Sequence, residues 1–267
     1  VCKVISFKVV YELCMVRFLA IISAFVLTTL SVTAGNSGLK SVAKPGLGHI
    51  WPAVGRLTLD GGQGFCTASL IAPDIILTAA HCLYDEQTGT QYATKDFEFQ
   101  AGWRNGRAEA FRKVKSILAH PKYHFESANS VEKVSHDIAV IMLDQPIQSQ
   151  NIQPFVVTSL PHRGAGVLVV SYAPGLKDAP FGKSLCKVKA EQDEILLLTC
   201  DLDYGASGAP VFVISEGVAK IVSLISAMTW LDDEKMSLGV LLEDALSEFA
   251  DLVRDREFIA PSFSSND

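Results

Sequence analysis

Short apolar runs rich in Val, Ile, Leu and Phe recur along the chain, separated by Gly, Pro, Asn and Asp. Runs of this length, bounded by turn residues, read as β-strands. The pattern predicts strands over 53–59, 65–72, 75–78, 97–102, 112–119, 138–143, 166–172, 185–190, 195–201, 210–214, 218–227 and 237–241. Turn signals between them include Asp60-Gly61-Gly62 and Asn105-Gly106. Many short strands at this spacing predict an all-β barrel or sandwich. The stretch 144–162 holds Pro146, Pro154 and Pro161 and few strand signals, so it is expected to cross between an N-terminal and a C-terminal half.

After residue 241 the period changes from two to 3.6. Leu242, Ala245, Leu246, Phe249, Leu252 and Val253 follow the i, i+3, i+4, i+7 rhythm, with Glu243 and Asp244 placed to complement the helix dipole. A C-terminal amphipathic helix that packs on the fold is expected, followed by a short tail.

The N-terminal region follows a different pattern. Residues 18–34 read FLAIISAFVLTTLSVTA without a charge, after Arg17 and ending in the small-residue pattern Val32-Thr33-Ala34. That is the order of a secretory signal peptide. Residues 1–14 precede an internal Met15, which is the expected start. Cleavage after Ala34 is expected to leave a chain with no stable membrane span.

Composition sharpens this picture. With 49% of its 267 residues apolar and 19% charged, the chain has material for a core and is not a disordered one. Loss of Lys3, Lys8, Arg17 and Glu12 with the leader takes 23 basic and 29 acidic residues to 20 and 28, and the net charge from −6 to −8. An acidic chain without a Lys/Arg run does not suit nucleic acid. Cys66, Cys82, Cys186 and Cys200 survive the cut, an even set consistent with two disulfides in an exported protein. Spacing alone allows three pairings. No C-x-x-C pair, phosphate-binding glycine loop or nucleotide fingerprint is present, so neither a metal nor a cofactor is expected. The acidic run Asp232-Asp233-Glu234 offers oxygen ligands of the kind Ca²⁺ takes, but is expected to be a solvated turn.

Three strings carry candidate chemistry: Leu77-Thr78-Ala79-Ala80-His81-Cys82, His136-Asp137-Ile138-Ala139-Val140-Ile141-Met142-Leu143, and Tyr204-Gly205-Ala206-Ser207-Gly208-Ala209-Pro210. A serine hydroxyl needs a base to become a nucleophile. An imidazole serves at neutral pH, and a buried carboxylate fixes its tautomer and steadies its cation. Two backbone N–H groups turned to one point, at Gly205 and Ser207, would bind the oxyanion of a tetrahedral intermediate.

These strings resemble the marks of the trypsin-like, or chymotrypsin-fold, serine peptidases: T-A-A-H-C, D-I-A-V-I-M-L and a G-A-S-G-A-P variant of the nucleophile motif, in the order His, Asp, Ser. The resemblance spans roughly residues 48–241. It implies two antiparallel six-stranded β-barrels, one over 35–145 carrying His81 and Asp137, the other over 146–267 carrying Ser207. It implies His81 as general base, Asp137 as its orienter, Ser207 as nucleophile, and an oxyanion hole from Gly205 and Ser207. It places Ser223, followed by Leu224 and Ile225, on the strand that pairs with substrate. It pairs Cys66 with Cys82, bracing the histidine loop, and so Cys186 with Cys200. Animal zymogens of this family carry an acidic residue just before the nucleophile, which pairs with a newly freed N-terminus. Here that position is Ala206, and no basic residue followed by I-V-G-G precedes the barrel, so activation by such insertion is not expected. The spacing resembles a bacterial exported member, such as the glutamyl endopeptidase-like branch.

Specificity is divided. Asp201 resembles the residue at the floor of the substrate pocket and there would favour Arg or Lys; the preferred reading is that it shapes the turn after Cys200 with Asp203 and Tyr204. Ile225 would narrow the pocket toward small apolar groups. No histidine lies in 218–230 to support glutamate preference. His120-Pro121 resembles a structural loop of the family, His136 the edge of the aspartate motif; His49, His124 and His162 are expected at the surface. The expected function is a secreted or periplasmic, monomeric serine endopeptidase acting on protein or peptide substrates. The alternative is a catalytically silent scaffold that binds protein.

Overall fold

Fourteen strands make up most of the computed structural model, which describes residues 40–41, 51–59, 64–125, 131–159, 162–172 and 180–255. The leader expected over 18–34, the internal start at Met15, and His49 lie outside the described residues. No described helix is long and apolar enough to cross a membrane.

Six strands close the first barrel: β2 (Val54–Leu59), β3 (Gly64–Ala72), β4 (Ile75–Thr78), β5 (Phe97–Ala101), β6 (Ala110–Ala119) and β7 (Ala139–Leu143). They are joined in the order β2-β3-β4-β7-β6-β5, and β2 pairs back onto β5 through Gly55↔Ala101 to Leu59↔Phe97. The second barrel uses β9 (Gly166–Ser171), β10 (Phe181–Gln192), β11 (Ile195–Leu198), β12 (Pro210–Ser215), β13 (Val218–Leu231) and β14 (Glu234–Leu241). Antiparallel pairing runs β9-β10-β11-β14-β13-β12 and returns to β9 through Val211↔Val169 and Phe212↔Leu168. Two-residue strands β1 (Lys40–Ser41) and β8 (Val156–Val157) add to β10 and β13 from outside. The architecture is therefore two closed six-stranded barrels, a chymotrypsin-like fold. Closure leaves each barrel without a free edge, which is how all-β folds of this size avoid strand-to-strand aggregation.

Three apolar clusters match this plan. One fills the first barrel, with Leu57, Leu70, Ile76, Phe97 and Phe99 fully buried. A second fills the other barrel around Val169, Leu196, Leu198, Cys200 and Val211. The third lies between the barrels and joins Trp51, Leu77 and Ile138 of one to Tyr172, Phe212 and Leu224 of the other. The closing helix Leu242–Asp255 seats Leu242, Ala245 and Phe249 in this interbarrel cluster. It thus packs on the fold, as its period predicts. Each fully buried Leu or Phe contributes roughly 2–3 kcal/mol, so the interbarrel cluster is what fixes the cleft where the two halves meet.

The sequence placed all twelve barrel strands, with differences at their ends. β13 and β14 run on past residue 227 into a hairpin whose turn is Asp232-Asp233, both at positive φ (52° and 62°). Two consecutive left-handed residues are what a two-residue hairpin turn requires, and Asp tolerates them. The acidic run is thus a hairpin turn. β11 stops at Leu198 because Cys200 is drawn aside: its sulfur bonds Cys186 and its carbonyl accepts Ser237 Oγ at 2.8 Å.

His120 is structural, as expected. It is 2% exposed. Its Nε2 lies 3.2 Å from Glu248 Oε2 of the closing helix and its Nδ1 accepts the Lys122 N–H, while its ring stacks on His136 at 4.8 Å. Burial and the neighbouring His136 push its pKa down to about 4, although Glu248 pulls the other way. The unfolded chain takes up this proton near 6.5 and the folded chain only near 4. Folding stability therefore falls as pH drops through that window, by up to about 3 kcal/mol. Thermal midpoints recorded across the window should decline in the wild type and decline less steeply in His120→Asn; equal slopes would exclude His120 as the origin.

Candidate active site

His81 sits in a single turn of 3-10 helix, Ala80–Leu83, that leaves β4 at its C-terminal end. The disulfide Cys66–Cys82 ties this turn back to β3. A 16-residue loop closed in this way restricts the unfolded chain by about 3 kcal/mol. Asp137 lies two residues after the short helix Val131–Ser135 and two before β7, which pairs with β4 through Thr78↔Ala139. That register brings the two residues together. The Asp137 carboxylate accepts the His81 backbone N–H at 2.8 Å through Oδ1 and the imidazole Nδ1–H at 2.7 Å through Oδ2. Two contacts to two oxygens fix both the main chain and the ring.

Asp137 is 3% exposed. Burial alone would push the His81 pKa down, but the Asp137 charge and hydrogen bond more than offset it, and the His81 pKa stands above its ordinary value. With Nδ1–H donated to Asp137, Nε2 is left to accept a proton. Among the described residues the imidazole hydrogen-bonds Asp137 alone.

Ser207 lies on the loop between β11 and β12. The loop meets the first barrel directly: Thr67 of β3 donates its N–H to Ser207 O at 2.9 Å. Gly208, at φ +74°, packs so tightly against Thr67, Thr78 and Ala79 that a Cβ there would overlap Thr67 O and Thr78 Oγ1. Thr78 and Ala79 lead straight into the His81 turn, so the serine loop and the histidine turn share one wall. Gly205, at φ +86°, meets Phe65 and Tyr172 O in the same way. Within the loop, Ala206 N–H donates to Asp203 O, Gly208 N–H to Ile225 O and Ala209 N–H to Ala206 O. Among the described residues no backbone carbonyl takes the N–H of Gly205 or of Ser207. Those are the two donors expected to face an oxyanion.

The Ile225 backbone meets the Ser207 loop, accepting the Gly208 N–H at 2.7 Å and donating to Ala209 O at 2.9 Å, but the side chains of Ser223, Leu224 and Ile225 are buried. They are 0%, 1% and 2% exposed. Ser223 Oγ turns onto Leu224 O and Ile225 joins the core of the second barrel, so neither side chain is presented to solvent. The residue of β13 that reaches the pair is Ser226, whose hydroxyl donates to Asp137 Oδ2. A β-bulge explains the difference. Ile225 pairs with Gly239 and Ala227 with Leu238, so Ser226 is the extra residue and its side chain is re-aimed. Strand periodicity could not reveal this; the only sequence signal was a second serine on the same strand. Removing one hydrogen bond to a buried carboxylate costs about 1.5–3 kcal/mol. Ser226→Ala is expected to lower kcat about tenfold or more with KM little changed, and steady-state kinetics on any cleaved peptide will check it.

Asp201 is not a free anion. Lys235 Nζ stands 3.4 Å from Asp201 Oδ1 and 2.8 Å from Asp203 Oδ1. The cation answers both carboxylates, and Asp203 also shapes the turn through its carbonyl. An Arg or Lys preference set by Asp201 would have to compete with Lys235. Ala206, where the zymogens of the family carry their acidic residue, is 2% exposed among Val167, Cys200 and Leu202; an unpaired carboxylate there would be costly.

Cys66, His81 and Cys82 bring ligand atoms within 4.8 Å of one another. Both sulfurs are spent on the disulfide, so the cluster offers no thiolate to a metal. His124 and His162 lie at the surface, as expected.

The family model described as Trypsin matches residues 43–182. The chain belongs to the trypsin family. The matched stretch covers the His81 and Asp137 strings and ends before Ser207. A modular serine protease of Drosophila melanogaster is 37% identical over 100 residues, covering 35% of this chain and 15% of that protein. Serine protease 23 of Mus musculus is 26% identical over 188 residues, covering 62% of this chain and 49% of that protein. The chain thus spans at most about half the length of these relatives. A solved Glu endopeptidase in complex with MPD superposes with a TM-score of 0.67 at 20% identity, covering 83% of this chain and 99% of that one. At that identity the likeness is one of fold.

Proposed function

We propose that this trypsin-family protein is an exported serine endopeptidase that works through an acyl-enzyme. Ser207 attacks a peptide carbonyl, His81 takes its proton and passes it to the leaving amine, and water then releases the acyl group by the reverse use of His81. Asp137 holds the tautomer, and the N–H groups of Gly205 and Ser207 receive the oxyanion. The observation that carries this reading is the double grip of the buried Asp137 on His81, which leaves Nε2 as the acceptor. Substrates are proteins or peptides, with the halves 35–145 and 146–267 supplying His81–Asp137 and Ser207 respectively. Export is supported by the leader-like residues 18–34 and by two disulfides. A bacterial-type lineage rests on motif spacing, whereas the curated relatives named above come from animals.

A fluorophosphonate probe tests the reading without knowledge of specificity. It should label the folded protein at Ser207, identified by peptide mapping, and labelling should vanish in Ser207→Ala and His81→Ala while both keep the wild-type thermal midpoint within a few degrees. An intact wild-type fold that takes no label would leave the silent, protein-binding scaffold as the function.

A further inference from the structure

The loop that carries Ser207 has no anion directly before the nucleophile, where Ala206 stands, and its Asp201 and Asp203 are paired with Lys235. A neutral group from the other barrel takes hold of the loop instead. Thr67 of β3 is fully buried and contacts the loop twice. Its hydroxyl donates to Gly205 O at 2.8 Å and its N–H donates to Ser207 O at 2.9 Å. The direction of the hydroxyl is decided by a third bond. Thr67 Oγ1 accepts the Tyr172 N–H at 3.0 Å, so its single hydrogen is free to point only at Gly205. Thr67 itself is anchored, because Thr78 Oγ1, three residues before His81, donates to Thr67 O at 3.0 Å. Its neighbour Cys66 is bonded to Cys82, next to His81.

We propose that Thr67 is a positioning residue that clamps the Gly205 and Ser207 carbonyls from the opposite barrel, so that the N–H groups of those residues are held in the oxyanion-binding orientation without a charged latch. The peptide planes follow from the bonds. The 205–206 plane is held at both ends, its C=O by Thr67 Oγ1 and its N–H by Asp203 O. The 207–208 plane is likewise held, its C=O by Thr67 N–H and its N–H by Ile225 O. Between them the Ser207 N–H is the group left over, and the Gly205 N–H is attached to an α-carbon that one fixed plane already locates. Gly205 has no side chain and sits at φ +86°, so its own torsions resist rotation little. The Thr67 hydroxyl supplies the restraint that the residue lacks. Through the Thr67 carbonyl the bonds continue to Thr78 and the His81 turn, so the nucleophile, the oxyanion donors and the base are referenced to one residue.

This inference rests on the peptidase reading, and its test separates the two. Rates of fluorophosphonate labelling are to be measured for the wild type, Thr67→Val and Thr67→Ser, with kcat and KM on any peptide the wild type cleaves. Thr67→Val keeps the shape and removes the hydroxyl, leaving Gly205 O and Tyr172 N–H unanswered. It is expected to slow labelling and kcat on the order of 10²-fold with KM nearly unchanged, while Thr67→Ser stays within a few-fold of wild type. A purely structural role would lower the thermal midpoint but leave the per-site labelling rate of the folded fraction intact, and that result overturns the inference. Equal losses in Thr67→Val and Thr67→Ser overturn it as well, since the hydroxyl would then not be the cause. Should Thr67→Val not fold, Thr67→Cys, a weaker donor on a longer bond, takes its place: an intermediate rate supports the clamp and a wild-type rate overturns it. A wild type that is never labelled overturns the peptidase reading, and this inference with it.

Discussion

Asp137→Asn is expected to lower kcat about 10⁴-fold while leaving the protein folded. The reason is a tautomer. In the wild type Asp137 Oδ2 accepts Nδ1–H of His81, so Nε2 is the bare nitrogen that can take the Ser207 proton. An asparagine can place its NH₂ at the Oδ2 position, where it demands an acceptor; Nδ1 then gives up its hydrogen and Nε2 carries it instead. The base is occupied before the reaction starts. The fold survives because the carbonyl of Asn can still receive the His81 backbone N–H as Oδ1 does. A second signature follows from the electrostatics. Burial depresses the His81 pKa and the Asp137 charge raises it past its ordinary value. Activity requires neutral His81, so wild-type kcat/KM should fall as pH drops through a value above the ordinary histidine pKa. Without the Asp137 charge, burial is the largest influence left, with smaller opposed ones from Glu86 and Lys133, and the acid limb of the residual activity should move to lower pH. Active-site titration, kcat and the pH profile of both proteins check this together. A variant within a few-fold of wild type, or one whose acid limb moves upward, would contradict the role assigned to Asp137.

Gly208→Ala is expected to carry the largest stability loss of any single methyl addition near the site. Gly208 sits at φ +74°, where a side chain costs roughly 1–2 kcal/mol by itself. Its Cβ would also overlap Thr67 O and Thr78 Oγ1 and stand 2.9 Å from Ala79 N. Two of these are backbone atoms in the wall shared by the serine loop and the histidine turn, so a rotamer change does not relieve the clash. Overpacking in such a setting typically costs a further 1–3 kcal/mol. The thermal midpoint should drop by about 5–15 °C, at roughly 2–4 °C per kcal/mol for a chain of this size. Fluorophosphonate labelling of the surviving folded fraction should also be slowed, because relief requires the Ser207 loop to move away from β3. Gly164→Ala is the control. It too has a positive φ, of 83°, but a Cβ there meets nothing within 4 Å, so only the torsional cost applies. Equal losses in the two variants would show that contact with the first barrel does not matter at Gly208.

Much of this molecule was legible from local pattern. Each barrel strand is a run of 4 to 14 residues whose apolar content reflects burial within a closed barrel, and such runs are visible without knowledge of their partners. The closing helix was equally plain, because the i, i+3, i+4 rhythm of Leu242, Ala245 and Phe249 is the stripe that enters the interbarrel cluster. His81, Asp137 and Ser207 were found because each stands in a short string at a strand end. What the sequence by itself determined is therefore what a strand or helix determines alone: which residues are buried, where the chain turns, and which candidate catalytic groups stand at element ends.

The tertiary structure decided the rest, and in each case through a contact between strands remote in sequence. Ser226 rather than Ser223 reaches Asp137 because a bulge on β13 inserts one residue into the ladder, and a one-residue slip sends a side chain to the opposite face. Asp201 loses its claim as a free anion because hairpin closure carries Lys235 to it. Thr67 has no distinguishing mark in its string; it becomes a clamp only when the second barrel docks and brings Gly205, Ser207 and Tyr172 to its hydroxyl and N–H. A sequence pattern records whether a position is buried, but the partner of a buried polar group is chosen by register and docking, which involve the whole fold at once.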